Sequence, residues 1–102
     1  MRIEDVKYTP HNILNLLGEY SKFCVNAYVN GSIPSLEIKM DLDSLLEKSN
    51  LTERQETVIN LYYKHDMTQD EVAEVLGVSR IAVRDVLKGA EKKIKETVKN
   101  WG

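Results

Sequence analysis

The first hydrophobic pattern in the chain is helical and begins at Pro10. From Pro10 to about Tyr28, apolar residues recur mostly three or four positions apart, which is the spacing of one face of an α-helix. Proline suits the first turn of a helix, and the segment from Asn30 to Pro34 has the composition of a turn that ends one. We therefore predict an amphipathic N-terminal helix. Its apolar stripe comprises Leu14, Leu17, Tyr20, Cys24 and Tyr28.

The next segment carries a mixed pattern. Between Ser35 and Lys48, apolar residues first stand two apart and then take helical spacing. The first half of this segment is therefore ambiguous, and the second half predicts a helix from about Asp41 to Lys48, with an earlier start left open.

Two capping boxes mark the starts of further helices. Thr52 is followed three residues later by Gln55, and Thr68 is followed in the same way by Glu71. In such a box the hydroxyl and the longer side chain satisfy free backbone amides reciprocally. The second of these helices should stop at Gly77, because glycine readily adopts the left-handed backbone of a helix end.

A last helix is predicted from Arg80 to about Lys99, with Ser79 as its N-cap. Gly89 inside it disfavours helix, so we expect close packing or a local bend there. Helical spacing also predicts which residues of the last three helices face the core. They are Val58, Ile59, Leu61 and Tyr62, then Val72, Ala73, Val75 and Leu76, then Ile81 or Val83, Val86, Leu87, Ala90, Ile94 and Val98.

These patterns predict an all-α fold, a small helical domain with a C-terminal helix-turn-helix preceded by the N-terminal amphipathic helix. A length of 102 residues suits one modest core, and 42% hydrophobic with 29% charged residues is ordinary globular composition. We divide the chain into an N-terminal helical segment for packing or dimerisation, 1–50, and a C-terminal domain, 51–102. The helix-turn-helix itself spans 68–94, as a short helix, a glycine-containing turn and a longer basic helix.

The net charge of −2 hides a basic C-terminal segment. Residues 1–50 hold five Lys or Arg against seven Asp or Glu, whereas residues 79–102 hold seven against three. Because Lys and Arg contacts to phosphates dominate affinity for nucleic acid, the last helix is the expected point of contact.

The helix-turn-helix predicts individual DNA contacts. Its second helix enters the major groove, and backbone amides at both helix N-termini can bind phosphates. Near the start of the second helix, side chains face the groove or its rim, and lysines further along contact phosphates. Asp85 has a plainer alternative, a surface ion pair with Arg84 or Lys88. The predicted DNA contacts are Thr68, Gln69, Ser79, Arg80, Ile81, Arg84, Asp85, Lys88, Lys92 and Lys93.

Residues 51–94 resemble region 4 of the sigma-70 family of transcription initiation factors, although LuxR-type response regulators share the same module. Leu51, Thr52 and Arg54 resemble its first half. In its second half the similar positions are Thr68, Glu71, Val72, Ala73, Val78, Ser79, Arg80, Val83, Arg84, Val86, Ala90, Lys92, Lys93 and Ile94. In that family the region contacts the promoter −35 element and the RNA polymerase flap, so the resemblance implies double-stranded DNA and RNA polymerase as partners.

The chain also departs from that family. Ile81, Ala82 and Asp85 stand where the family's base-reading run has an acidic residue, an Arg and a Gln. We therefore expect a target other than the usual −35 element, in which Ile81 touches a thymine methyl group and Asp85 accepts from a cytosine amino group. The first 50 residues are too few, and too poor in aromatic and basic residues, to resemble the promoter-melting region. A stand-alone initiation factor is therefore not expected.

Other chemistry finds little support in the sequence. The single Cys24 excludes a disulfide framework and a cysteine-based zinc site, and His11 and His65 lack partners at ligand spacing. No nucleophile has a partner base, so we expect no enzyme activity, no metal and no cofactor. The N-terminus lacks the apolar run of a signal peptide, and no stretch has the length of a membrane span. We expect a protein of the bacterial cytosol or nucleoid, without membrane contact.

The leading hypothesis is a sequence-specific DNA-binding transcriptional regulator of bacterial or phage type. One alternative is a partial sigma factor or appropriator that binds RNA polymerase, and another is a phage small terminase subunit. The N-terminal stripe packs either on the rest of the chain or on a second copy, and a homodimer is expected because single helix-turn-helix proteins commonly bind paired half-sites.

Overall fold

The computed structural model describes residues 8–100, and over this range the chain is helical without any strand. The predicted all-α fold is therefore confirmed. The α-helices are α1 (Ile13–Gly18), α2 (Tyr20–Tyr28), α3 (Ile33–Lys48), α4 (Glu53–Ile59), α5 (Gln69–Leu76) and α6 (Arg80–Lys99), and a π-helical turn (Asn60–Lys64) continues α4.

The predicted N-terminal helix is divided in two at Glu19, so the expectation of one continuous helix was wrong. The Glu19 amide donates to the Leu16 carbonyl at 3.0 Å, which is the tight bond of a helix end, and Gly18 just before it disfavours helix. Helix α1 also begins only after a turn, in which the Thr9 amide donates to Asn12 Oδ1 at 2.9 Å and the Asn12 amide donates to Thr9 Oγ1 at 3.1 Å.

Helix α3 begins at Ile33, well before Asp41, so the ambiguous first half of this segment is helical and the earlier start that the pattern left open is the correct one. Ser32 is its N-cap, since the Ser32 hydroxyl oxygen accepts from the Ser35 amide at 3.3 Å. Pro34 lies in the first turn, where its missing amide hydrogen costs nothing. The turn after α2 therefore also starts α3.

A single hydrophobic core joins the two halves of the chain. Its largest fully buried side chains are Ile13, Leu17, Leu42 and Leu45 from the first half and Val58, Ile59, Val72, Val83 and Ile94 from the second. The N-terminal stripe is thus covered within the same chain, with Leu17 and Tyr20 buried and Leu14 and Cys24 partly buried against the core. Tyr28 was wrongly placed in this stripe. It is 66% exposed because it lies at the last position of α2, past the edge of the core.

Two other predicted core positions are open to solvent. Val75 is 58% exposed, because Val72 and Ala73 supply the buried side of α5. Ile81 is 62% exposed, and Val83 takes the alternative core position on α6 that the sequence also allowed. Both exposed side chains lie close to the turn between α5 and α6.

Tyr63, and not Tyr62 as predicted, is the buried ring after α4. The backbone widens here into a π-helical turn, in which the His65 amide donates to the Asn60 carbonyl five residues earlier at 3.1 Å. Because a π-helical turn holds more residues than an α-helical turn, the side chain that faces the core comes one residue later, at Tyr63 and not at Tyr62. The Tyr63 hydroxyl then reaches the Glu91 carboxylate on α6 and donates a hydrogen bond to it.

A polar cluster around Asp43 fixes α2 and α3 against the π-helical turn. The Asp43 carboxylate accepts from the Tyr20 hydroxyl at 2.7 Å, and it lies 2.9 Å from Lys39 Nζ and 3.0 Å from Lys64 Nζ. Burial by itself would raise the pKa of Asp43, but the hydrogen bonds from these three neighbours outweigh burial and hold that pKa below its ordinary value. Burial and the bond to Asp43 raise the pKa of Tyr20.

We expect Asp43→Asn to lower the free energy of unfolding by about 1–2 kcal/mol at neutral pH, because two ammonium groups lose their carboxylate. The folded-state pKa of Asp43 lies below the ordinary value of 3.8, so the wild-type contribution is complete above that pH and is lost as the pH falls through the folded-state pKa. Urea unfolding at about pH 7 and about pH 2 measures this dependence. If wild type and variant differ in free energy of unfolding by the same amount at both pH values, the stabilising role of the Asp43 cluster is contradicted.

Candidate nucleic-acid interface

Helix α5 begins with the predicted capping box. Thr68 Oγ1 accepts from the Glu71 amide at 3.1 Å, and Glu71 Oε1 accepts from the Thr68 amide at 2.9 Å. Val72 and Ala73 then anchor the helix in the core. Of the two DNA contacts predicted here, the Thr68 hydroxyl serves as this cap, and Gln69 is partly buried at the first helical position.

The turn after α5 has the geometry of a Schellman motif. Gly77 takes the left-handed conformation, with φ +67° and ψ +34°. The Val78 amide donates to the Ala73 carbonyl at 3.0 Å, and the Gly77 amide donates to the Glu74 carbonyl at 3.3 Å. The free carbonyls at the end of α5 are thus satisfied, and the path of the chain into α6 is fixed.

Helix α6 has one side in the core and one side open. Ser79 caps it as predicted, because its hydroxyl oxygen accepts from the Ala82 amide at 3.1 Å. The buried side comprises Val83, Leu87, Ala90, Ile94 and Val98. At about 100° per residue, Ile81, Arg84, Lys88 and Lys92 follow one another along the opposite side, and all four are exposed. This side is available to a ligand along most of the helix.

Both arginines at the start of α6 form loose surface ion pairs. Arg80 Nε lies 3.6 Å from an Asp70 oxygen, and Arg84 Nη2 lies 3.6 Å from an Asp85 oxygen. All four side chains are more than half exposed, and pairs of this kind contribute at most about 1 kcal/mol. Each guanidinium can therefore exchange its carboxylate for a phosphate or a base edge at small cost.

Lys93 lies apart from the open side in this structure. Its Nζ donates to Gln55 Oε1 at 2.8 Å and to the Asn50 carbonyl at 3.4 Å, which ties α6 to the start of α4. Gly89 packs against the same glutamine, since a Cβ at this position would lie 3.2 Å from Gln55 Nε2. Close packing at Gly89 is thus confirmed.

Most of the predicted contact residues lie on α6 or at the start of α5, and Thr68 and Gln69 line one pocket together with Arg80. Those exposed along α6 are Arg80, Ile81, Arg84, Asp85, Lys88 and Lys92, and those at helix N-termini are Thr68, Gln69 and Ser79. Lys95 and Lys99 were not among the predicted contacts, yet they lie on the same side of α6 as Lys88 and Lys92. The spacing 84, 88, 92, 95 and 99 places all five side chains on one face of the helix.

Residues 8–100 hold no group of three or more His, Cys, Asp or Glu side chains arranged to bind a metal ion. None of the helices in this range is long and apolar enough to cross a membrane.

The capped short helix, the glycine turn and the two-sided basic helix together form a helix-turn-helix. Residues 49–96 match the family model of sigma-70, region 4. The resemblance inferred over 51–94 is therefore confirmed, and the match extends slightly beyond it at both ends. A region 4 segment is a DNA-binding module and not a catalytic one, which agrees with the open basic side of α6.

Two curated relatives share the region 4 segment. A UPF0122 protein of Desulforamulus reducens is 54% identical over 43 residues, which cover 42% of this chain and 37% of the relative. A UPF0122 protein of Clostridium botulinum is 41% identical over 59 residues, which cover 58% of this chain and 52% of the relative. The matches thus span about half or less of the relatives' own length. No solved structure matches this chain significantly.

We expect Gly77→Ala to destabilise the region 4 segment by about 1–2 kcal/mol, because an L-residue is strained at a φ of +67°. Gly18→Ala is the matched control. A Cβ at either position meets no atom within 4 Å, and Gly18 has no left-handed backbone. The control should be neutral or stabilising, by up to about 1 kcal/mol. Thermal unfolding followed by circular dichroism measures both, and equal effects would refute the backbone argument.

Proposed function

We propose that the protein is a sequence-specific DNA-binding transcriptional regulator that reads duplex DNA with the open side of α6. One observation carries the proposal: a capped helix is fixed in the core on one side and presents exposed Arg84, Lys88 and Lys92 in a row on the other. A helix of this kind fits the major groove, and such basic side chains bind guanine edges or phosphates.

The start of α6 is proposed to supply the sequence preference. Arg80 and Arg84 would contact base edges or phosphates. Each would first break only one ion pair, with an exposed carboxylate. Ile81, 62% exposed at the second helical position, would contact a thymine methyl group. Asp85 would either accept from a cytosine amino group or keep its ion pair with Arg84. Amides at the helix ends capped by Thr68 and Ser79 would bind flanking phosphates.

The remainder of the chain supports this orientation. Residues 1–50 carry five basic and seven acidic side chains, so the duplex is attracted to the C-terminal segment and repelled from the first half. We assign 51–102 as the DNA-binding domain and 1–50 as a segment whose role is packing. A regulator of this kind would act in the bacterial cytosol or nucleoid.

We expect Arg84→Ala to weaken binding to a preferred duplex by about 1–3 kcal/mol, because a base or phosphate contact is lost. Wild-type affinity should also fall steeply with salt, as it does when phosphate contacts dominate. Fluorescence anisotropy with a labelled duplex at several salt concentrations measures both effects.

Lys22→Ala is the control for this measurement. Lys22 is 74% exposed on α2, away from α6, and pairs only with its neighbour Glu19 among the described residues. Its removal should leave affinity unchanged. Salt-insensitive binding, or an Arg84→Ala variant that binds as the wild type does, would count against the proposal.

Binding to RNA polymerase is the second candidate, and the region 4 match is the observation that favours it. The protein would then act as part of a split sigma factor or as an appropriator. Tagged protein incubated with core RNA polymerase should retain the enzyme if this candidate is right. Retention without any duplex binding would place the polymerase ahead of DNA as the partner.

Homodimerisation stays a prediction. The N-terminal stripe is largely used inside the chain, so a second copy would have to contact other residues. Exposed apolar side chains are grouped at the end of α2 and along α3, namely Val25, Tyr28, Val29, Ile33 and Met40. Light scattering in solution determines the mass directly, and a large ring would instead favour the terminase alternative.

A further inference from the structure

The basic side of α6 continues well beyond the part that reads bases. Lys88, Lys92, Lys95 and Lys99 border one open groove, and Pro10 forms its other wall just before α1. All four lysines are exposed. We call these four residues and Pro10 the distal lysine groove.

The groove keeps a positive charge although two carboxylates also line it. Glu91 accepts a hydrogen bond from the Tyr63 hydroxyl, which holds it toward the core, and Glu96 is exposed. Within residues 8–100 none of the four lysines forms an ion pair, whereas Lys22, Lys39 and Lys64 all do. Four ammonium groups against two carboxylates leave the groove cationic, and the ammonium groups are free to bind an anion.

The position of the groove identifies the anion. Its lysines lie on the same side of α6 as Arg84, so the two surfaces are continuous. From Lys88 to Lys99 the helix rises by about 16 Å. One strand of a duplex carries about one negative charge per 3.4 Å of the duplex axis, so a strand that runs along these lysines, beside the major groove that Arg84 enters, presents several phosphates over this length.

We propose that the distal lysine groove binds the sugar-phosphate backbone of the duplex beside the base pairs read at the start of α6. Lysine is suited to this role because its ammonium is a flexible point charge, which contacts phosphates without reading bases. Pro10 offers an apolar wall to a deoxyribose. The groove therefore lengthens the contact without adding sequence preference, and this inference rests on the proposed function.

The test compares wild type with Lys95→Gln/Lys99→Gln on a duplex of about thirty base pairs that carries the preferred motif at its centre. We expect the variant to bind about tenfold more weakly at low salt, and the slope of log affinity against log salt to fall by about two, since two phosphate contacts are lost. Preference for the motif over a scrambled duplex should not change. A duplex cut back to the motif itself should bind both proteins equally.

Two controls keep the outcome decisive. Lys95→Arg/Lys99→Arg retains the charge and should keep the wild-type slope, and Lys22→Gln removes a lysine away from the groove. Circular dichroism should show equal helix content in all variants, because the substituted side chains are exposed. An unchanged slope for the glutamine variant overturns the groove as a phosphate site while wild-type binding still supports the proposed function. A wild type that binds no duplex overturns both.

Discussion

The register of α6 is the constraint on which the rest of the structure depends. Val83, Leu87, Ala90, Ile94 and Val98 are buried at helical spacing, and they belong to the same hydrophobic core as the buried side chains of the other helices. Once the buried side of α6 is fixed, helical geometry determines where the remaining side chains of α6 point. Arg84, Lys88 and Lys92 must face outward. The same packing that stabilises the fold therefore presents a cationic surface on a helix, so binding a ligand there requires no loop to become ordered.

The first half of the chain contributes to this rigidity without carrying the basic surface. Its helices close the core that α4, α5 and α6 would otherwise leave open, with Leu17, Leu42 and Leu45 fully buried. The Asp43 cluster joins α2 and α3 to the π-helical turn. That turn directs Tyr63 toward Glu91 on α6. Chain segments far from the proposed DNA surface thus determine how firmly that surface is held.

Local chemistry explains why the helix-turn-helix could be predicted from sequence. The capping box at Thr68, the left-handed Gly77 and the N-cap Ser79 act over three to five residues, so the residues themselves define the structure. Some of the differences from the prediction concern features that depend on distant contacts. Tyr63 is buried because a π-helical turn rotates it toward α6, where its hydroxyl donates to Glu91, 28 positions later in the chain. The start of α3 was left open between Ser35 and Asp41 for a local reason, since the residues from Asn30 to Pro34 end one helix and also begin the next.

Sequence reading by the start of α6 can be measured by selecting bound duplexes from a random pool, with wild type and an Arg80→Ala/Arg84→Ala variant carried through the same rounds. Both substituted side chains are more than half exposed, so the variant should fold as the wild type does. The account predicts that wild type enriches a motif and the variant does not, and the symmetry of the motif would report whether one or two copies bind. Enrichment of nothing by wild type, or of the same motif by both proteins, would contradict the account.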